Sequence, residues 1–124
     1  MAKQLHSREF GYNQESCALQ FLRLRGMKLL QRNFTYRTGE IDLIMLAPPE
    51  HLVFIEVRYR KSAKFGSAKA SVTREKQSRI KRTAAAFLQK NTRLRSLACR
   101  YDIVAISGDA RHGENIEWIR NAFY

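Results

Sequence analysis

Cysteine, histidine and proline are all scarce in this sequence, and each shortage removes a class of protein. The two cysteines, Cys17 and Cys99, cannot build a disulfide scaffold, and both sit among apolar neighbours as small core residues would. The three histidines, His6, His51 and His112, stand far apart, which argues against a structural zinc site. The only prolines, Pro48 and Pro49, are adjacent and mark one turn. No apolar run approaches the length that spans a bilayer. Met1 to Glu9 lack the apolar stretch of a signal peptide, so a cytoplasmic location is expected. Acid is short as well: 11 Asp and Glu face 23 Lys and Arg, for a net charge of +12 and a pI near 10.3. Such a surface attracts polyanions, and nucleic acid is the commonest that a soluble protein meets.

The basic excess is concentrated. Arg58 to Arg100 holds 14 Lys and Arg and one acid, Glu75, while the rest of the chain is close to neutral. A scattered surplus would suggest solubility; a concentrated one suggests a face. Arg60, Lys61, Lys64, Lys69, Arg74, Lys76, Arg79 and Arg82 suit phosphate contacts, which give affinity without sequence choice. The same run would also serve as a solvated face, but it directly follows the strongest strand pattern. Tyr59 and Phe65 are available either for packing or for stacking on unpaired bases.

At 124 residues the chain has room for one domain, residues 1–124. Ser7 to Gly26 reads as a helix, with Ser7 as N-cap and Gly26 as terminator. Gly11, Glu15, Ala18, Leu19 and Leu22 share its inner face. Lys28 to Tyr36 and Glu40 to Leu46 read as strands joined at Arg37-Thr38-Gly39, and Leu52 to Tyr59 as a third. Thr73 caps a second helix to Lys90 with Ile80, Ala84, Phe87 and Leu88 inward, and Cys99 to Ser107 is a further strand. Ile116 to Phe123 is a closing element of open type. The order α-β-β-β-α-β, with hairpin strands and a crossover helix, predicts an α/β fold: a mixed β-sheet flanked by helices.

Two of these strands carry carboxylates. Asp42 lies in Gly39-Glu40-Ile41-Asp42-Leu43-Ile44, and Glu56 in Val53-Phe54-Ile55-Glu56-Val57-Arg58. Asp is depleted in strands, and a charge is seldom buried without a partner. Glu56 and Arg58, two apart, project from one face. If the two strands are neighbours, both acids can reach one point, and hard oxygen ligands at a sheet edge suit Mg²⁺. The same spacing also fits a buried ion pair of Glu56 or Asp42 with Arg58 and no metal. Glu15, on the apolar face of the first helix, either reaches solvent or aims at the same point. Glu40 shares a face with Asp42, nearer the turn.

Taken in order, the segments 39–44 and 53–60, then Phe65-Gly66, Val72-Thr73, Lys76-Gln77, Arg100-Tyr101-Asp102-Ile103-Val104 and Glu117-Trp118-Ile119 closely resemble the bacterial YraN-like family, over nearly the whole chain. That family looks like the restriction-endonuclease-like superfamily, close to the Holliday-junction resolvases, whose site reads Asp…Glu-x-Lys. The resemblance implies a restriction-endonuclease-like core, Asp42 and Glu56 as metal ligands, and Glu15 as a first-helix acid beside them. The superfamily's lysine falls on Arg58 here. Arginine stays charged and cannot act as a general base, so Arg58 is expected to steady a scissile phosphate electrostatically. Lys61 and Lys76 are lysines that could substitute in space. The expectation is a nucleic-acid-binding, Mg²⁺-dependent phosphodiesterase, with Mn²⁺ as an alternative ion. DNA ranks ahead of RNA, branched or non-canonical forms are favoured, and a homodimer is left open. The rivals are a non-catalytic nucleic-acid-binding module with a degenerate site and a basic module that docks an acidic protein.

Overall fold

Leu52 to Ile55 are buried in succession, with both faces of their strand covered. A continuous apolar strand needs cover on both sides, and the computed structural model shows where it comes from. The structure describes residues 2–60, 68–108 and 115–124. Its elements are α1 (Ala2–Arg23), β1 (Lys28–Tyr36), β2 (Gly39–Ala47), β3 (His51–Arg60), α2 (Arg74–Lys90), a short 3-10 turn (Thr92–Ser96), β4 (Ala98–Ser107) and β5 (Ile116–Phe123). The five strands lie in chain order. β1, β2 and β3 are antiparallel neighbours, β3 and β4 run parallel across the α2 connection, and β5 returns antiparallel to β4. The fold is therefore the expected mixed α/β sheet with a helix on each face, and residues 116–123 add a fifth strand.

Each helix covers its own half of the core. Ile80, Ala84 and Phe87 of α2 pack on Ile44, Leu52, Phe54 and Ile103. Ala18, Leu19 and Leu22 of α1 pack on Leu43, Val53, Ile55 and Val104. Burying a side chain such as Phe54 contributes about 1.5–3 kcal/mol. The Phe54 ring also meets Phe87 edge-on at 6.1 Å and stacks on Tyr101 at 5.6 Å.

The helix ends follow from local chemistry. α1 closes in a Schellman turn: Gly26 N–H donates to the Arg23 carbonyl, Met27 N–H to the Leu22 carbonyl, and Gly26 takes φ +88°. Met27 and Leu22 then meet in one core cluster. At the other end α1 begins at Ala2, so Ser7 lies inside it and is not the expected cap. No glycine or proline separates Ala2 from Ser7, and a serine alone does not stop a helix. Thr73 does cap α2, its side chain accepting from Lys76 N–H at 3.2 Å.

Two further details depart from the expectations or complete them. Cys99 is exposed rather than in the core, because burial along β4 begins only at Asp102. Asp102 is fully buried and accepts from Trp118 Nε1 and Asn121 N–H, both at 2.9 Å, and from Arg100 Nε at 3.1 Å. This joins β4 to β5 through residues of the two C-terminal motifs. Among the described residues, no helix is long and apolar enough to cross a membrane.

Candidate functional site

The β2–β3 ladder runs from Ala47↔His51 to Leu43↔Ile55. The next facing residues are Asp42 and Glu56, and there the strands part. Asp42 Oδ2 accepts from Val57 N–H at 2.8 Å, putting a side chain where a strand carbonyl would otherwise be. The pleat breaks at the same place: Ile41 and Ile44, three apart, both pack beneath α2, and Asn33 of β1 takes φ +54°. Strict alternation would hold Asp42 on the α2 face. The break lets it face both sides, and Asp42 and Glu56 line two clefts at this end of the sheet.

The larger cleft, about 320 Å³, opens beneath the first turns of α2 and adds Gly39, Glu40, Lys76 and Arg79 to the two acids. The smaller, about 190 Å³, opens beside α1 and adds Gly11, Gln14 and Glu15. Gly39 belongs at the wall of the first: its φ is +148°, and a Cβ there would stand 3.5 Å from Thr83 Oγ1.

Carboxylate oxygens of Glu15, Glu40 and Asp42 lie within 4.8 Å of one another. Burial, reinforced by the charge of Glu56 and opposed by the Val57 N–H, pushes the Asp42 carboxyl up to about 8. Burial likewise raises Glu56, against the pull of Lys76 and Arg58, and raises Glu15, against the pull of Arg32. Lys76 Nζ stands 3.4 Å from Glu56 Oε1. Arg32 reaches Glu15 Oε1 with Nε at 3.4 Å while its guanidinium lies 3.6 Å over the Tyr12 ring and donates to the Tyr12 carbonyl. Glu15 thus faces the other acids rather than solvent.

The remaining expected site residues divide. Arg58 lines neither cleft; its Nε donates to Ser71 Oγ at 3.2 Å, though its charge is still felt by Glu56. The direct Arg58 ion pair that the spacing allowed is replaced by Lys76–Glu56. Arg60 meets Glu117 at 3.5 Å and Arg79 meets Glu75 at 2.6 Å. Lys69, Arg74 and Arg82 are exposed and form no ion pair among the described residues. Lys61, Lys64, Phe65 and Gly66 lie outside the described residues.

Sequence reasoning underrated Glu40 and missed Arg32 and Gln14. Gln14 Oε1 is buried in the α1-side cleft without a hydrogen-bond partner among the described residues. A buried amide oxygen normally has a donor, so it marks a place where a ligand or water would complete the site. Glu40, two residues before Asp42, was within reach of a spacing argument. Arg32 comes from a strand with no motif of its own.

The fold and site define a small mixed α/β protein with an acid-lined opening where two central strands separate. The matching family model is described as Uncharacterised protein family UPF0102; it matches residues 14–106, a span that contains Glu15, Glu40, Asp42 and Glu56, and the chain belongs to this family. A UPF0102 protein of Saccharophagus degradans is 50% identical over 115 residues, covering 93% of this chain and 92% of its own length. Relatives in Nitrosococcus oceani and Coxiella burnetii are 44% and 43% identical, each over 116 residues covering 94% of this chain and 92% of their own. The YraN-like membership expected from the motifs holds.

Proposed function

We propose that this protein is a nucleic-acid-binding, Mg²⁺-dependent phosphodiesterase built on a restriction-endonuclease-like core. The observation that carries the reading is the meeting of three carboxylates from α1 and β2, with Glu56 of β3 lining the same two clefts, where β2 and β3 part beside a basic helix. Acids this close raise one another's proton affinity, and a divalent cation relieves the repulsion. The donor set fits such an ion. Carboxylate oxygens are hard ligands, and the 4.8 Å spread of Glu15, Glu40 and Asp42 compares with about 4.2 Å across a Mg²⁺ coordination sphere. Asp42, common to the expected pair and this trio, would hold the ion together with Glu15 and Glu40, and Glu56 lines the same two clefts. Bound there, Mg²⁺ or Mn²⁺ supplies a water of lowered pKa and positive charge for phosphate oxygens.

The chain's own groups do the rest. The Val57 N–H fixes the orientation of Asp42, Arg32 holds Glu15 toward it, and Lys69, Arg74 and Arg82 offer a phosphate track. DNA is the preferred polymer, in branched or non-canonical form, and a cytoplasmic location goes with that substrate. The test is cleavage of duplex, flap, four-way junction and single-stranded substrates with Mg²⁺ and with Mn²⁺. Asp42→Asn and Glu56→Gln should abolish cleavage and weaken divalent-ion binding while DNA binding persists. A wild type that cuts nothing on the panel would overturn the reading. A non-catalytic binding module then takes its place, which the turning of Arg58 toward Ser71 favours.

A further inference from the structure

We infer that Lys76 contacts the scissile phosphate and stabilises the charge that develops on it during cleavage; this rests on the phosphodiesterase reading. Among the described residues four cations stand near the acids, and Arg32 lines neither cleft, held on Glu15 and the Tyr12 carbonyl. Arg58 is directed to Ser71, outside both clefts, and Arg79, although it lines the larger cleft, is paired with Glu75, which does not. Lys76 alone among them both lines the larger cleft and pairs with an acid that lines it, with Nζ 3.4 Å from Glu56 Oε1. Its backbone is pinned by the helix cap, since its N–H donates to Thr73 Oγ1 at 3.2 Å. The next residue anchors the same turn, with Gln77 N–H donating to the Thr73 carbonyl at 2.8 Å and Gln77 Nε2 to the Val72 carbonyl at 3.0 Å.

The side chain keeps the freedom that its backbone lacks. It is 37% exposed, so the ammonium sits at the mouth of the cleft, where a polymer would approach. An ammonium has three donors on a flexible stem. One can stay on Glu56 Oε1 while another reaches a non-bridging phosphate oxygen. Hydrolysis adds the oxygen of one water to phosphorus and breaks the bond to the leaving oxygen. The two protons of that water end on the leaving alcohol and on the new phosphomonoester or solvent. Lys76 keeps its own proton throughout; it contributes charge, and it does so at the position where Arg58 does not reach.

The experiment compares wild type with Lys76→Met, Lys76→Arg and, as a control at the far end of α2, Lys90→Met. Single-turnover cleavage, DNA affinity and Mn²⁺ titration calorimetry are measured on each, with thermal melts to establish folding. Removing one preorganised donor typically slows turnover about 100-fold or more. Lys76→Met should show that loss in the single-turnover rate constant with DNA affinity changed less than about 3-fold, as for the loss of one phosphate contact among several. It should also bind Mn²⁺ at least as tightly as wild type, because the ammonium competing for Glu56 is gone. Lys76→Arg should recover part of the rate, and Lys90→Met should cut normally. Cleavage by Lys76→Met at the wild-type rate overturns the inference and leaves the phosphodiesterase reading standing. A wild type silent on every substrate overturns both.

Discussion

Replacing Asp42 by Asn should make the metal-free protein more stable at neutral and alkaline pH. The amide oxygen of the new side chain can still accept from Val57 N–H, so the bond that holds the parted strands survives. What disappears is a buried carboxyl whose folded pKa is raised to about 8 by burial and by the charge of Glu56. The sign follows from proton linkage. A folded state that holds this proton more tightly than the unfolded chain is favoured below the unfolded pKa of 3.8, and that advantage is lost as pH climbs from there through 8. At pH 7 the loss is on the order of 4 kcal/mol, reduced to about 2–4 as water enters the clefts. For a chain of this size that corresponds to roughly 10 °C in melting temperature. Melts followed by circular dichroism should therefore coincide near pH 4 and separate at pH 8, with Asp42→Asn the higher. Saturating Mg²⁺ should raise the wild type by about 3 kcal/mol at 100-fold excess over Kd and leave the variant unmoved, closing the gap. Equal or reversed melting temperatures at pH 8 without Mg²⁺ would refute the account of a frustrated acid cluster.

Three further outcomes follow from the same geometry. Replacing Lys69, Arg74 and Arg82 together by Ala should lower the slope of log affinity against log salt on duplex DNA by about 2–3, read by fluorescence anisotropy; an unchanged slope removes the phosphate track. Gly39→Ala should cost about 1–3 kcal/mol in urea unfolding, because φ +148° is poorly open to a side chain, although a Cβ would meet Thr83 and Arg79 only at ordinary contact distance; wild-type stability would show that the turn relaxes freely. Asp102→Ala should cost about 2–5 kcal/mol and shift the Trp118 emission, since Trp118 Nε1, Asn121 N–H and Arg100 lose a buried acceptor; cleavage per folded molecule should stay normal, as Asp102 lies outside both clefts.

Periodicity and punctuation settled much of this protein before any coordinates. The β-branched and aromatic run Leu52 to Tyr59 specified a strand, and Gly26 and Thr73 marked helix ends that the structure keeps. These are local properties, set by backbone preference and by side-chain spacing along one element. Ser7 failed as a boundary because a cap preference competes with continued helix and nothing nearby breaks the chain. The acids Asp42 and Glu56 were legible as misfits in apolar strands. Their environment was not, because it depends on groups far apart in sequence. The break in the pleat at Asp42, the arrival of Glu15 and Gln14 from α1, and the seating of Lys76 on Glu56 with Arg58 turned to Ser71 are decided only when β2, β3 and both helices pack. Residue spacing fixes which side of its own element a charge leaves; which charge it then meets depends on how the elements dock, and that only the tertiary structure decides.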